Sequence, residues 1–226
     1  MLLTKFIKHA LAPKDTTSER VVTDDADSRM RVLNVGGGSK QIPIPSHYNG
    51  WKHCLLDIAP GDDVDVVLDA RRLLELDAAQ FDAIYCSHNL EHYYVHDVPK
   101  VLTGFFHVLK SGGYAEIRVP DVAAVMARIV IDKMELDDVL YVSANGPISA
   151  HDVIYGWGKE IERSGVDFYA HKRGFSEKSL RDALVQAGFP HIVTYLPEGA
   201  FEVRAVAFKE EPTPTQRATF MVGSSP

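Results

Sequence analysis

Short apolar runs separated by polar stretches follow one another from residue 31 onward and indicate buried β-strands. An uninterrupted apolar run is typical of a strand that is covered on both faces of a parallel sheet. Four such runs lie at residues 31–35, 53–58, 64–69 and 81–86. A fifth strand is expected at residues 114–119, where Pro120 stops it. Strands and helices that alternate in this way predict an α/β sheet with right-handed crossovers.

A helix is predicted directly before the fifth strand. Asp97 can cap its first turn and Pro99 fits there, because the first turn of a helix leaves backbone N–H groups without partners. Apolar residues then recur at helical spacing and form one stripe: Val98, Val101, Leu102, Phe105, Val108 and Leu109. Ser111, Gly112 and Gly113 are expected to end the helix, since glycine adopts the left-handed conformation without strain.

The rest of the chain completes the predicted sheet. A second helix is expected at residues 121–131, and a third begins after Ser176, which can cap it. Strands are predicted at residues 191–195 and 201–208, and this closing pair suggests an antiparallel edge strand. The expected fold class is therefore α/β, a three-layer sandwich around a mostly parallel seven-stranded sheet with an antiparallel edge strand.

Shifts in composition divide the chain into three parts. Residues 1–29 are expected to hold a short amphipathic helix and a polar linker, and residues 30–209 the single folded domain. Within that domain, residues 133–174 show no clear period, which is typical of a lid or a binding insertion. Residues 210–226 are polar and contain prolines, so a disordered tail is expected there.

Composition and charge narrow the classes of partner. The 226 residues are 46% hydrophobic, which is ample for one core, and the formal net charge is -7 with a pI near 5.8. An acidic chain gains little from phosphate groups, so nucleic acid and anionic membranes are disfavoured as partners. No stretch approaches a membrane span, and Cys54 and Cys86 are expected to be buried thiols. These features predict a cytoplasmic protein and leave its oligomeric state open.

Glycines fill the turn after the first strand, at Gly36, Gly37 and Gly38. Backbone without side chains can approach a ligand closely there, although a flexible turn has the same sequence pattern. A P-loop needs a Gly-Lys-Ser/Thr ending, and the dinucleotide fingerprint needs glycine where Gln41 stands. The turn therefore favours a ligand without a pyrophosphate.

A carboxylate, Asp57, ends the second strand about 20 residues after the glycine turn. In open α/β sheets an acid at this position accepts hydrogen bonds from ribose hydroxyls, and two adjacent hydroxyls suit its two oxygens. The alternative is a helix cap or a solvated loop acid. Together, the turn and the carboxylate favour a nucleoside ligand.

The order of these motifs resembles class I S-adenosylmethionine-dependent methyltransferases, and in particular the methyltransferase type 11-like family. The resemblance rests on segments in the family's order, at residues 33–38, 57, 68–70, 81–88, 90–92, 108–114 and 119–121. It implies a Rossmann-like fold, the cofactor S-adenosyl-L-methionine and transfer of a methyl group to an acceptor. The acidity of the chain favours a small molecule as that acceptor.

The resemblance also implies a set of cofactor-binding residues. The backbone of the glycine turn would contact the methionine part, and Asp57 the ribose. Asp69 and the backbone of Ala70 would face the adenine. The full expected set is Gly36, Gly37, Gly38, Asp57, Ile58, Asp69, Ala70, Ser87 and His88, the last two also near the acceptor. Lys40 replaces the third glycine of the family's pattern, which keeps open an alternative: a cofactor-binding protein of the same fold that has lost transferase activity.

Histidines are the candidates for a general base, because the pKa of imidazole lies near neutral pH. The candidates are His88, His92, His151 and His171, and the alternative for those in the 133–174 segment is a surface position. His88, Glu91 and His92 also match H-x-x-E-H, a zinc peptidase pattern. Because Glu-His is a usual feature at this place in the methyltransferases that the chain resembles, no metal is expected. A divalent ion near this position stays open as an alternative.

Overall fold

A seven-stranded sheet forms the centre of this computed structural model, which describes residues 28–143 and 146–220. Its strands are β1 (Arg31–Val35), β2 (Lys52–Asp57), β3 (Val66–Val67), β4 (Phe81–Ser87), β5 (Leu109–Pro120), β8 (His191–Tyr195) and β9 (Glu202–Phe208). Their spatial order is β3-β2-β1-β4-β5-β9-β8. A separate antiparallel hairpin pairs β6 (Val139–Ser143) with β7 (Gly146–Ser149).

The strands β3, β2, β1, β4 and β5 run parallel to one another, and β9 is antiparallel to both of its neighbours. This confirms the expected α/β fold with a mostly parallel seven-stranded sheet. The antiparallel strand lies one place in from the edge, because β8 pairs with β9 alone among the described strands. Pairing of Pro120 with Glu202 places the start of β9 at the edge where the parallel strands end. We call this the carboxyl edge of the sheet.

The helices of the described residues are α1 (Val98–Val108), α2 (Val122–Asp132), α3 (Ala150–Tyr155), α4 (Gly158–Ser164), α5 (Glu177–Gln186) and α6 (Pro214–Phe220). Short 3-10 helices occupy Ser46–Tyr48, Ala70–Glu75, Leu90–His92 and Asp167–Tyr169. Within the described ranges, none of the helices combines the length and the apolar character that crossing a bilayer demands.

One face of the sheet packs against α1 and α5. Leu33 and Ile84 of the sheet are fully buried beside Phe105 of α1. Burial of a side chain of this size stabilises the fold by roughly 1.5–3 kcal/mol, so the apolar stripe of α1 is what fixes the helix on the sheet. Cys54 and Cys86 lie in the same core as free thiols, as the sequence predicts.

The opposite face is covered by the segment around the first 3-10 helix and by α6. Tyr48 and Phe220 both pack against Tyr114 there. Glu116 of β5 is only 1% exposed under this layer, and the hydroxyl of Tyr48 donates a hydrogen bond of 3.1 Å to its carboxylate. The buried charge therefore has partners within the layer that covers it.

Local predictions around α1 differ from the structure. Residues 111–113 lie inside β5 instead of ending the helix, because the chain pairs with β4 from Leu109 onward. Asp97 stands at the start of α1, but its side chain does not cap the helix. The carboxylate binds Lys100 at 2.7 Å and Arg71 at 3.3 Å instead. Ion pairs with Lys100 of the same helix and with the more distant Arg71 take the place of the cap.

Two segments are more regular than the sequence suggests. Residues 133–174 contain the β6–β7 hairpin, α3 and α4, and each of these elements is too short to produce a recognisable period. The prediction of a disordered tail is wrong for Pro214–Phe220, which form α6, because Phe220 finds an aromatic pocket on the sheet. The helix expected at the start of residues 1–29 lies outside the described residues, as does the linker that follows it apart from residues 28 and 29.

Replacing Ser176 with alanine tests the predicted cap of α5. The hydroxyl of Ser176 accepts a hydrogen bond from the backbone N–H of Ser179, and the Ser179 hydroxyl accepts one from the backbone N–H of Ser176. We expect Ser176→Ala to lower the free energy of unfolding by about 1 kcal/mol, measured by urea denaturation. Ser46→Ala, at an exposed serine, is the control and should cost about 0.5 kcal/mol or less. Equal losses in both variants would contradict a capping role.

Candidate active site

The glycine turn and Asp57 meet at the carboxyl edge of the sheet. The backbone N–H of Gly38 donates to Asp57 Oδ2 at 3.3 Å, and the N–H of Ala59 donates to Asp57 Oδ1 at 3.1 Å. β1 and β2 are parallel neighbours, so their ends necessarily lie side by side. Each carboxylate oxygen has one backbone donor and keeps further lone pairs for a ligand.

Close packing explains why glycines fill this turn. A Cβ at Gly36 would lie 2.0 Å from the Asn89 side-chain nitrogen, and a Cβ at Gly37 would lie 2.2 Å from that of Asn34. Gly38 has a φ of +69° and nothing within 4 Å of such a Cβ. The first two glycines therefore serve internal packing, whereas Gly38 presents bare backbone to open space.

Lys40 is held away from Asp57 by two other acids. Its backbone N–H donates to Asp63 at 2.6 Å, and its Nζ lies 2.7 Å from Asp65 Oδ1. Asp63 also accepts a hydrogen bond of 2.7 Å from the Ser39 hydroxyl. The lysine that replaces the third glycine thus anchors the far end of the turn to the loop after β2.

Asp69 and Ala70, the residues expected to contact the adenine, are engaged in contacts within the protein. Arg71 donates to both oxygens of Asp69, with Nε at 2.9 Å and Nη2 at 2.5 Å from Oδ2, and its backbone N–H donates to Oδ1. Burial raises the pKa of Asp69, but the hydrogen bonds from Arg71 outweigh that effect and hold the pKa below its usual value. Ala70 is 1% exposed. Ile58, beside Asp57, is 44% exposed and offers apolar surface at the same edge.

His88 follows Ser87 at the end of β4 and lies between two carboxylates. Its Nε2 is 2.9 Å from Glu202 Oε2 and its Nδ1 is 3.6 Å from Glu91 Oε1. Burial lowers the pKa of His88, but the two carboxylates outweigh that effect and raise the pKa to about 10. A raised pKa favours the protonated imidazole, which cannot accept a proton, so these two carboxylates disfavour His88 as a general base. The catalytic role of His88 stays a prediction.

His92 and His171 lie together at the other side of Glu91, with their ring centroids 5.0 Å apart. Backbone hydrogen bonds from Lys172 and Arg173 to the Glu91 carbonyl oxygen, at 2.9 and 3.2 Å, hold the end of the 133–174 segment against the 3-10 helix Leu90–His92. Burial lowers the pKa of His171. The structure therefore brings together two of the four candidate histidines and separates them from His151, whose ring packs on Tyr155 near the surface.

A cavity of about 430 Å³ opens at the carboxyl edge, between β4, β5, β9 and the 133–174 segment. Its walls carry charged and aromatic side chains. The residues that line the cavity are His88, Pro120, Tyr141, Ser143, Ile148, Asp152, Val153, Trp157, His171, Ala200, Phe201 and Glu202. His88 directly follows β4, which pairs with β1, so the cavity adjoins the edge at which the glycine turn and Asp57 lie.

A family of proteins described as a methyltransferase domain matches residues 6–193 of the chain. The chain belongs to this methyltransferase family. The match covers most of the sequence and confirms the resemblance that the order of motifs indicates. A comparison of the methyltransferase with curated protein sequences found no match.

Solved structures share the fold of this methyltransferase at low sequence identity. An S-adenosylmethionine-dependent methyltransferase of Archaeoglobus fulgidus superposes with a TM-score of 0.52 at 15% identity, over 80% of this chain and 86% of that one. A Pyrococcus horikoshii protein gives a TM-score of 0.53 at 13% identity, over 80% and 82% of the two chains. These likenesses establish the Rossmann-like architecture of the domain.

A third structure was solved with ligands. The 1,6-didemethyltoxoflavin-N1-methyltransferase of Burkholderia thailandensis, with bound 1,6-didemethyltoxoflavin and S-adenosylhomocysteine, gives a TM-score of 0.50 at 16% identity, over 81% of this chain and 72% of that one. At 16% identity this comparison supports a shared fold and nothing about the ligands of this chain.

Several residues of the methyltransferase site escape sequence reasoning. Glu202 forms a hydrogen bond with His88, which lies 114 positions earlier in the sequence. Arg71 donates hydrogen bonds to Asp69, and the residues of the adenine motif do not predict this contact. Asp152 lines the cavity, whereas its neighbour His151 was the candidate. An acid at the start of the last strand is a weak signal for Glu202, because only the register of β9 against β5 brings it to the carboxyl edge.

Proposed function

We propose that this protein transfers a methyl group from S-adenosylmethionine to a small molecule bound in the cavity beside His88. One observation carries the proposal: the bare backbone of Gly38 and the carboxylate of Asp57 share the carboxyl edge with that cavity. Open α/β sheets bind ligands at this edge, beyond the ends of their parallel strands. Membership of the methyltransferase family supports the reaction type.

The residues at the edge fit a nucleoside cofactor. Asp57 has one backbone donor on each oxygen, which orients the carboxylate and leaves both oxygens able to accept from two ribose hydroxyls. Exposed Ile58 gives apolar area beside it, and Gly38 leaves the backbone of the turn accessible. When bound, S-adenosylmethionine supplies an activated methyl group on a positively charged sulfur. Asp69 already accepts hydrogen bonds from Arg71, so an adenine would share this carboxylate with the guanidinium.

The protein's own part in the reaction is to position the acceptor and to exclude water. Trp157, Tyr141 and Phe201 provide apolar walls, while Asp152 and Glu202 add carboxylates that can orient a polar group. Alignment of the acceptor for direct displacement needs no covalent intermediate on the enzyme. A cavity of about 430 Å³ suits a small molecule, and the net charge of -7 argues against a nucleic-acid acceptor.

A transfer assay tests the function. Purified full-length protein is incubated with S-adenosylmethionine that carries an isotopically labelled methyl group and with a panel of small oxygen, nitrogen and sulfur nucleophiles. Mass spectrometry then follows the labelled product. Binding of S-adenosylhomocysteine together with labelled product supports the proposal, whereas binding without transfer to any member would favour the alternative of a cofactor binder. Absence of both binding and transfer would overturn both.

Trp157 is predicted to determine affinity for the acceptor. Trp157→Ala removes apolar wall from the cavity but does not touch the edge at Asp57, so KM for the acceptor should rise about tenfold while affinity for S-adenosylhomocysteine stays the same. Phe168→Ala is the control, because Phe168 is 49% exposed and does not line the cavity. An unchanged KM for Trp157→Ala, or an equal rise for Phe168→Ala, would place the acceptor elsewhere.

A further inference from the structure

Three metal-binding side chains converge beside the cavity, outside the residues assigned to the cofactor. Glu91 and His92 belong to the 3-10 helix Leu90–His92, and His171 reaches them from the 133–174 segment. One ligand atom from each lies within 4.8 Å of the other two. Sequence spacing groups His92 with His88, as H-x-x-E-H, but His88 binds Glu202, and His171 lies with Glu91 and His92 in its place.

Hydrogen bonds fix which nitrogen of each histidine is available. His92 Nδ1 lies 3.1 Å from the Ala170 carbonyl oxygen, and His171 Nδ1 lies 2.9 Å from that of Val153. A carbonyl oxygen only accepts, so each Nδ1 carries a proton and donates it. In the neutral rings the lone pair is then on Nε2. Metal-bound histidines have this arrangement, in which the second nitrogen donates to a backbone carbonyl or a carboxylate and fixes the tautomer.

Glu91 is a buried carboxylate that lacks a donor among the described residues. Its side chain is 2% exposed, and neither oxygen has a hydrogen-bond partner in the described part of the chain. The nearest groups are His88 Nδ1 at 3.6 Å and His171 Nε2 at 3.9 Å. His88 lies beyond hydrogen-bond distance of Glu91 and binds Glu202, so the buried carboxylate is poorly compensated, which is costly. A lone pair on His171 Nε2 that faces this carboxylate adds repulsion. A cation between these atoms removes both costs.

We infer that Glu91, His92 and His171 form a binding site for a divalent transition-metal ion, with Zn²⁺ as its best match. Two imidazole nitrogens and one carboxylate are a known ligand set for zinc sites that keep a fourth position open. His171 also lines the cavity, so the inferred metal site adjoins the cavity wall. The inference concerns metal binding and does not depend on the proposed methyl transfer.

Metal binding to the untagged, full-length protein tests the site. After treatment with a chelator and its removal, Zn²⁺ is titrated by calorimetry, and the bound metal is counted by elemental mass spectrometry after dialysis. We expect about one ion per chain, and for Glu91→Gln and His171→Gln an affinity at least tenfold lower, since even residues that only orient metal ligands contribute that much. His151→Gln is the matched control, because His151 lies outside the cluster and should leave binding unchanged.

Two further measurements keep the result interpretable. Glu91→Gln preserves side-chain shape, and far-UV circular dichroism checks that the variants fold. Co²⁺ in place of Zn²⁺ gives visible absorption bands that report nitrogen and oxygen ligation, and these bands should vanish in His171→Gln. Less than stoichiometric Zn²⁺ in the wild type, or equal binding by all variants, would overturn the inference and leave a protonated histidine as the partner of Glu91. Calorimetry with S-adenosylhomocysteine tests the proposed function separately.

Discussion

Replacing Asp57 with alanine is expected to lower affinity for S-adenosylhomocysteine by about a hundredfold or more. The substitution removes the two carboxylate oxygens that we propose accept hydrogen bonds from the ribose. Hydrogen bonds to a charged group contribute about 1.5–3 kcal/mol each, so losing two of them costs about 3 kcal/mol or more, and every 1.4 kcal/mol is tenfold in affinity. Isothermal titration calorimetry measures the loss directly.

The control for this substitution is Asp62→Ala, on the loop that follows β2. Asp62 is exposed and carries the same charge near the same edge, so a general change in electrostatics would affect both variants. Only Asp57 has its carboxylate fixed by the N–H groups of Gly38 and Ala59. If Asp57→Ala bound the ligand as tightly as Asp62→Ala does, the cofactor would not lie at the glycine turn.

Replacing Gly156 with alanine is expected to open the cavity wall locally. A Cβ at this position would lie 2.1 Å from the Tyr169 carbonyl oxygen and 2.9 Å from Ala170 Cα, which are backbone atoms that cannot rotate away. The φ of +101° adds strain for any residue with a side chain. Left-handed strain of roughly 1–2 kcal/mol and overpacking of roughly 1–3 kcal/mol together destabilise the segment by about 2–5 kcal/mol.

Hydrogen exchange followed by mass spectrometry measures this opening. Peptides that cover residues 150–172 should lose protection in Gly156→Ala, because the hydrogen bond of 2.9 Å from His171 N–H to the Tyr155 carbonyl oxygen spans this contact. Gly165→Ala separates strain from clash, since Gly165 has a φ of +68° but nothing within 4 Å of a Cβ. We expect it to lose only about 1–2 kcal/mol and to keep the protection. Equal protection in the two variants would show that the clash is relieved without opening.

The strands of the sheet could be predicted because their apolar runs are continuous. Residues 31–35 were expected as a strand and form β1, and the ends of β2 and β4 differ from prediction by one residue. A strand buried on both faces needs apolar side chains at every position, so the pattern is local. The place of β9 between β5 and β8 could not be predicted in the same way, because strand order depends on pairing between residues far apart in sequence.

The same contrast holds for the candidate site. The sequence by itself placed Gly38 and Asp57 together, because both follow neighbouring parallel strands and the ends of such strands share one edge. Tertiary structure alone decided that Arg71 holds Asp69, that His88 lies between two carboxylates, and that His171 instead of His88 joins His92. These are contacts between side chains on different elements. A sequence pattern reports the period of an element and the residue at its end, whereas partners across the fold depend on how the elements pack.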